Sequence, residues 1–211
     1  MPDNAATSPL AFVNHALALI GEDPLTDLLP ESGATNAAAA QIYDRVVESL
    51  LSVWSWKFAT MDCELSQNAE APPSPWTAQY DLPARTLRII STDCPGETYT
   101  IARNHDVGDN DGTRRLYAMR TGVRARVVIR PLDELFPAHF VSALIPEMAA
   151  QLAPSVTGDL NLAGLFERRA REALLRAKLH DAHEAPLPTF SGRDPRGPGL
   201  VGLRIVSSSG S

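Results

Sequence analysis

The stretch VRARVVIRPLDELFPAHFVSAL, residues 123–144, changes its period in the middle. Val123, Ala125, Val127 and Ile129 alternate with Arg124, Arg126, Val128 and Arg130, the period of two that a strand shows when one face meets a core. From Leu132 the helical period takes over. Phe136, Phe140, Leu144, Met148 and Leu152 fall on one stripe. A strand therefore hands over to a helix near Pro131, and a β region lies inside an otherwise helical chain.

Working outward from that point, two helices precede the β region. Ser8-Pro9 reads as an N-cap followed by proline in the first turn. Phe12, Val13, Ala16, Leu17 and Ile20 follow at helical spacing, and Gly21 is the stop. The second stripe runs through Ala39, Ile42, Tyr43, Val46, Val47, Leu50, Leu51, Trp54 and Phe58. It predicts an antiparallel partner for the first helix, with Trp54 and Phe58 as core anchors and Trp56 off the stripe. Downstream, Pro146 lies inside the third helix, where it removes a backbone donor, and Pro154 is expected to end it. Thr157-Gly158-Asp159 then starts a fourth helix reaching about His183, with Leu162, Leu165, Phe166, Ala170, Ala173, Leu174 and Ala177 on its apolar face.

Between these helices, Cys63 to Leu65 reads as a short strand and Asn68 to Pro75 as a linker. Leu87 to Ile90, Tyr99 to Ala102, Leu116 to Met119 and Val123 to Arg130 read as an antiparallel meander, with Asn104 to Thr113 as a hairpin tip. The expected fold class is α+β, mainly α. Residues 1–58 and 132–185 form a four-helix bundle, residues 59–131 an inserted β-meander, and residues 186–211 an extended C-terminal tail. The tail holds four Pro, five Gly and five Ser in 26 residues and cannot build a core of its own. Its apolar cluster, Leu200, Val201, Leu203, Ile205 and Val206, fits a segment that orders on a partner, or a loose strand against its own domain.

Composition narrows the function classes. The 211 residues are 44% hydrophobic and 21% charged, but only 6% aromatic, so the core rests on Ala, Leu, Val and Ile. No apolar run approaches the roughly 18 residues of a membrane span. Residues 1–7 lack the basic and apolar regions of a secretory leader. The net charge of −6 is unevenly spread. Residues 1–70 hold ten acids against two bases, and residues 71–211 hold 15 acids against 17 bases. That balance lacks the strong basic excess of a protein wrapped in nucleic acid. It suits head-to-tail contact between unlike faces, with Arg124, Arg126 and Arg130 as candidate inter-subunit residues. Solvated faces are the plainer reading. Exposed aromatics interleaved with such arginines would point to single-stranded nucleic acid, but Tyr99 and Tyr117 are the only aromatics available there.

The motifs of common chemistry are missing. There is no phosphate-binding glycine loop and no nucleophile elbow. His180 and His183 stand at i, i+3 beside Asp181 and Glu184. That spacing can hold a metal, but histidine is also favoured at a helix C-terminus by the dipole. Asp106, Asp109, Asn110, Asp111 and Gly112 resemble a calcium loop, yet register on Gly112 puts Val107 and Ala118 at ligand positions. Glu48 and Glu147 are the carboxylates a hydrolase would draw on. Cys63 and Cys94, 31 apart, read as unpaired thiols. No cofactor, metal or catalytic set is expected.

Four segments carry a resemblance. They are Leu10 to Gly21 with Pro24-Leu25-Thr26-Asp27-Leu28; Trp54-Ser55-Trp56-Lys57-Phe58-Ala59; Tyr80-Asp81-Leu82-Pro83 with Leu87-Arg88-Ile89; and Phe136 to Leu144 continuing through Met148 to Ala153. In order and spacing the chain resembles the tail tubular protein A family of short-tailed phages and the related head-to-tail adaptors of long-tailed phages and gene transfer agents. Pro146 departs from the smooth helix of that pattern. The resemblance implies an α-helical bundle with a β insertion, and a virion structural protein assembled in the host cytoplasm. It implies a ring, typically of twelve copies, between portal protein and tail nozzle, extending the channel through which genomic DNA passes without sequence-specific contact. On this reading the free chain is monomeric. The tail is then the portal-binding element, with Leu200, Val201, Leu203, Ile205 and Val206 adding to a sheet edge and Arg193, Arg196 and Arg204 pairing with acidic groups. A tail-associated cell-wall hydrolase and a nucleic-acid-binding module are the alternatives.

Overall fold

The computed structural model describes residues 7–94, 99–103 and 114–184. The tail beyond residue 184 and the calcium-like loop therefore lie outside the described residues. The fold class is α+β, mainly α. Four helices, α1 (Pro9–Ile20), α2 (Ala34–Val53), α3 (Ala138–Val156) and α4 (Leu160–His183), flank seven strands placed between α2 and α3.

Helix α1 begins and ends where its capping residues dictate. The Ser8 Oγ accepts from the Ala11 N–H at 3.2 Å, Pro9 occupies the first turn, and Gly21 takes φ 82° at the C-cap. Only a residue tolerant of the left-handed region closes the helix there. The link to α2 is pinned by side chains. Asn14 bonds both the N–H and the carbonyl of Leu25 (2.8 and 2.9 Å), and Asn36 Nδ2 donates to the Asp27 carbonyl at 2.8 Å.

Three helical expectations are corrected. First, α1 and α2 are not chiefly each other's partners. Both pack against α3, which also forms a tight hairpin with α4, so α3 is the hub. Second, α3 does not end at Pro154. It runs through both prolines to Val156, and the turn comes at Gly158, with φ 71°. Burial of Phe140, Leu144, Met148, Leu152 and Ala153 against three other helices outweighs the roughly 3 kcal/mol an interior proline costs. Asp159 then caps α4, accepting from the N–H groups of Asn161 and Leu162. Third, α2 stops at Val53. Trp54 is extended (φ −145°, ψ 155°), so the stripe is broken before the tryptophans. Trp56 is fully buried and Trp54 is 37% exposed, the reverse of the sequence expectation.

The strands are β1 (Thr60–Glu64), β2 (Ser66–Gln67), β3 (Ala78–Asp81), β4 (Thr86–Thr92), β5 (Tyr99–Arg103), β6 (Arg114–Ala118) and β7 (Arg124–Ile129). They form two antiparallel sheets, β1-β7-β4 and β2-β3-β6-β5, rather than one meander. The period of two was present, but it says nothing about which strand a given strand meets. Strand β7 keeps its alternation, with apolar contact on both faces. Ala125 and Val127 enter a core with Leu65, Ala78, Tyr80, Leu116 and Val123, whereas Val128 enters the helical core. Val128 is the stitch between the two hydrophobic clusters. Strand β3 carried no alternation signal, because Gln79 is buried with Ala78 and Tyr80. Among the described residues, no helix is long and apolar enough to cross a membrane.

Candidate functional site

Arg124 and Arg126 lie on β7, and Arg130 lies just past its end. Arg126 makes a bidentate pair with Asp62 on the neighbouring β1, both contacts at 2.7 Å. That guanidinium holds the Asp62 carboxyl below the usual range, against the opposing effect of burial. Arg130 reaches α2, with Nη2 at 2.6 Å from Asp44 and Nη1 at 3.5 Å from Glu48. Arg115 on β6 binds Glu70 and Asp81 at 3.1 and 3.2 Å. Four acids of the first 70 residues, Asp44, Glu48, Asp62 and Glu70, are thus met by Arg115, Arg126 and Arg130 of the same chain. Of the three candidate inter-subunit arginines, Arg126 and Arg130 are engaged internally, and Arg124 stands exposed.

The other candidates are separate from one another. Glu48 faces Arg130, while Glu147 accepts from Gln151 Nε2 at 3.1 Å. Cys63 and Cys94 are unpaired, and burial raises both thiols above their ordinary pKa, with Asp62 and Asp93 adding to the effect. Arg193, Arg196, Leu200, Val201, Leu203, Arg204, Ile205 and Val206 lie outside the described residues.

A junction that the sequence did not announce forms where the Trp54–Lys57 turn meets the end of α4. Trp56 is clamped in the helical core. Its Nε1 donates to the Leu50 carbonyl at 2.7 Å, and its ring meets Phe140 edge-on at 5.2 Å. Trp54 points the other way, and its Nε1 donates to Asp181 Oδ2 at 2.9 Å. The Lys57 N–H donates to Asp181 Oδ1 at 3.0 Å. Asp181 is 1% exposed, and both of its carboxyl oxygens are satisfied by these two donors. Lys178 lies 5.5 Å over the Trp54 ring, and Lys57 Nζ donates to the Ala182 carbonyl at 3.3 Å.

His139 of α3 completes this junction. Its ring stacks on His180 at 4.7 Å between centroids. Its Nε2 is buried with no hydrogen-bond partner among the described residues and lies 3.9 Å from Asp181 Oδ1. Glu184 Oε1 is 4.0 Å from the Nδ1 of His139 and of His180. Burial lowers the pKa of His139 below the ordinary value. His180 pushes the same way, and the carboxylates of Glu184 and Asp181 oppose without prevailing. The sequence had paired His180 with His183. The fold pairs His180 with His139, 41 positions away, and His183 stands outside the group.

A second feature lies between α1, α3 and α4. Leu19, Ile145, Pro146, Phe166, Arg169 and Arg176 line an open groove of about 370 Å³. The Arg169 guanidinium sits 5.2 Å over the Phe166 ring. On the far side of α4, Leu165, Leu175 and Leu179 are 36%, 64% and 62% exposed. At 100° per residue these three leucines share the side opposite Phe166, Ala170, Ala177 and Asp181, together with Arg168, while Glu172 and Arg176 lie between that side and the groove.

No family model matches the chain, and no curated protein matches it.

Proposed function

We propose that this protein is a virion structural subunit, a head-to-tail adaptor that forms a ring, typically of twelve copies, between portal protein and tail nozzle. The observation that carries this reading is the outer side of α4. Leu165, Leu175 and Leu179 stand exposed on one side of α4, 10 and 4 residues apart with Arg168 and Glu172 between them, and meet no apolar partner among the described residues. Exposed apolar lines rimmed by charge mark assembly surfaces. A ring needs two unlike surfaces that meet heterologously and close. The second is expected in the acidic link between α1 and α2, where Asp23 and Glu31 are exposed. The helical core with strands placed between its second and third helices also agrees with the architecture that the four resembling segments imply.

In this reading the ring extends the portal channel, DNA passes through its lumen without base-specific contact, and residues 186–211 dock on the portal. Purified protein is mixed with portal-bearing, tailless heads and viewed by negative-stain electron microscopy. A ring below the portal is the expected outcome. Heads that stay bare at saturating protein overturn the reading. So does cell-wall degradation by the purified protein that Glu48→Gln or Glu147→Gln abolishes.

A further inference from the structure

We propose that His139, His180 and Glu184 form a binding site for a divalent transition ion of the zinc class, tying α3 to the last turn of α4. The three side chains offer ligand atoms within 4.8 Å of one another. Glu184 Oε1 stands at 4.0 Å from each imidazole Nδ1. Zinc bound at 2.0–2.1 Å to nitrogen or carboxylate oxygen sets neighbouring ligand atoms about 3.3 Å apart, so each Glu184 contact must close by about 0.7 Å. Two of the three residues can supply that movement. His180 and Glu184 have side chains 66% and 43% exposed, in the last turn of α4 and just past it. His180 must also tilt out of its stack so that the ion lies in the plane of both rings.

His139 is the fixed ligand, and its surroundings point to the ion independently. Its side chain is only 9% exposed, and its Nε2 is a buried polar atom without a hydrogen-bond partner among the described residues. A histidine that ligates through Nδ1 carries its proton on Nε2, and ligating histidines commonly turn that N–H toward a carboxylate. Here the atom nearest the Nε2 among the ion-pair contacts is Asp181 Oδ1 at 3.9 Å, and Asp181 is held in place by Trp54 and Lys57. At 3.9 Å the two are not hydrogen-bonded, and the Nε2–H must close by roughly 1 Å on that carboxylate to make the second layer of a histidine metal site. Two imidazoles and one carboxylate select a borderline ion such as Zn2+, Co2+ or Ni2+ over Ca2+ or Mg2+, which prefer all-oxygen shells. With three protein ligands, water takes the fourth position.

The site is tested on the full chain by equilibrium dialysis against Zn2+ and by the visible bands of tetrahedral Co2+. One ion per chain is expected, with a rise in melting temperature of roughly 5–10 °C at a hundredfold excess over Kd. His180→Ala and Glu184→Gln alter exposed side chains and keep the fold, and each is expected to weaken binding at least tenfold. His183→Ala is expected to bind like the unaltered protein. Absence of binding at 100-fold molar excess of Zn2+ overturns the proposal. So does unchanged affinity in His180→Ala, or a loss in His183→Ala equal to that in His180→Ala, which would assign the ion to the surface pair on α4 instead. His139→Ala is not needed for the decision, because its burial makes a folding defect the competing outcome.

Discussion

The helical core and the β sheets of this protein are closed by different physics. The helices meet through one apolar cluster that draws on all four of them, with Trp56 and Phe140 at 0% exposure. The strands enclose a smaller cluster around Tyr80, Leu116 and Val127, and their outer surfaces are tied by arginine–carboxylate pairs, Arg126–Asp62 and Arg115–Asp81, while Arg130–Asp44 ties the end of β7 to α2. Apolar burial scales with area and is indifferent to salt, whereas exposed ion pairs are weak and screened. The helical part should therefore carry most of the stability, and the β part most of its dependence on pH and salt.

The largest effect should come from Trp56→Ala. Deleting this fully buried ring is expected to cost about 3–5 kcal/mol in urea melts, well above the cost of Trp54→Ala, whose ring is partly in water. Equal costs would break the view that the turn after α2 is anchored by Trp56. Leu116→Ala empties the centre of the β cluster and should cost about 2–4 kcal/mol. Hydrogen exchange should show the amides of β3, β5 and β6 opening before those of α3, since the loss is confined to the smaller core. If α3 opens equally, the two cores are one cooperative unit coupled through Val128.

Asp181→Ala is a smaller change, expected at about 2 kcal/mol. It leaves the Trp54 Nε1 and the Lys57 N–H without their acceptor, each worth about 1 kcal/mol when satisfied. Trp54 fluorescence should shift toward that of a solvated indole. The smallest effect should be that of Asp62→Asn, under about 1 kcal/mol, because the pair is partly exposed. Its pH dependence has a definite sign. Arg126 lowers the Asp62 carboxyl below 3.8, so the unfolded chain takes up that proton first as acid is added. The contribution is fully present above about pH 4 and is lost as pH falls through the folded-state pKa. Comparing Asp62→Asn with the unaltered chain at pH 7 and pH 3 should show the difference shrinking, and a difference that grows toward pH 3 would reverse the assignment.

How much was legible beforehand follows from the range of each signal. Ser8-Pro9 and Gly21 bounded α1, and Asp159 opened α4, because capping is chemistry among residues at most four apart. The switch from period two to helical spacing between Val123 and Phe136 placed the strand and the helix for the same reason. The stripe through Trp54 and Phe58 failed one residue after Val53, where the backbone turns extended. Helical periodicity cannot say where its own helix stops when no glycine or proline marks the end.

The sequence by itself determined the four helices, five of the seven strands and the mainly helical class, because these rest on neighbours along the chain, whereas β2 and β3 left no period to read. Only the tertiary structure decided which tryptophan is buried, that β7 pairs with β1 and β4, that Arg115, Arg126 and Arg130 meet carboxylates of their own chain, and that His139 meets His180. Each of those is a meeting of residues tens of positions apart, settled by the packing of α3 against the other helices and of two sheets against each other. Such contacts leave no periodic trace in the chain that makes them.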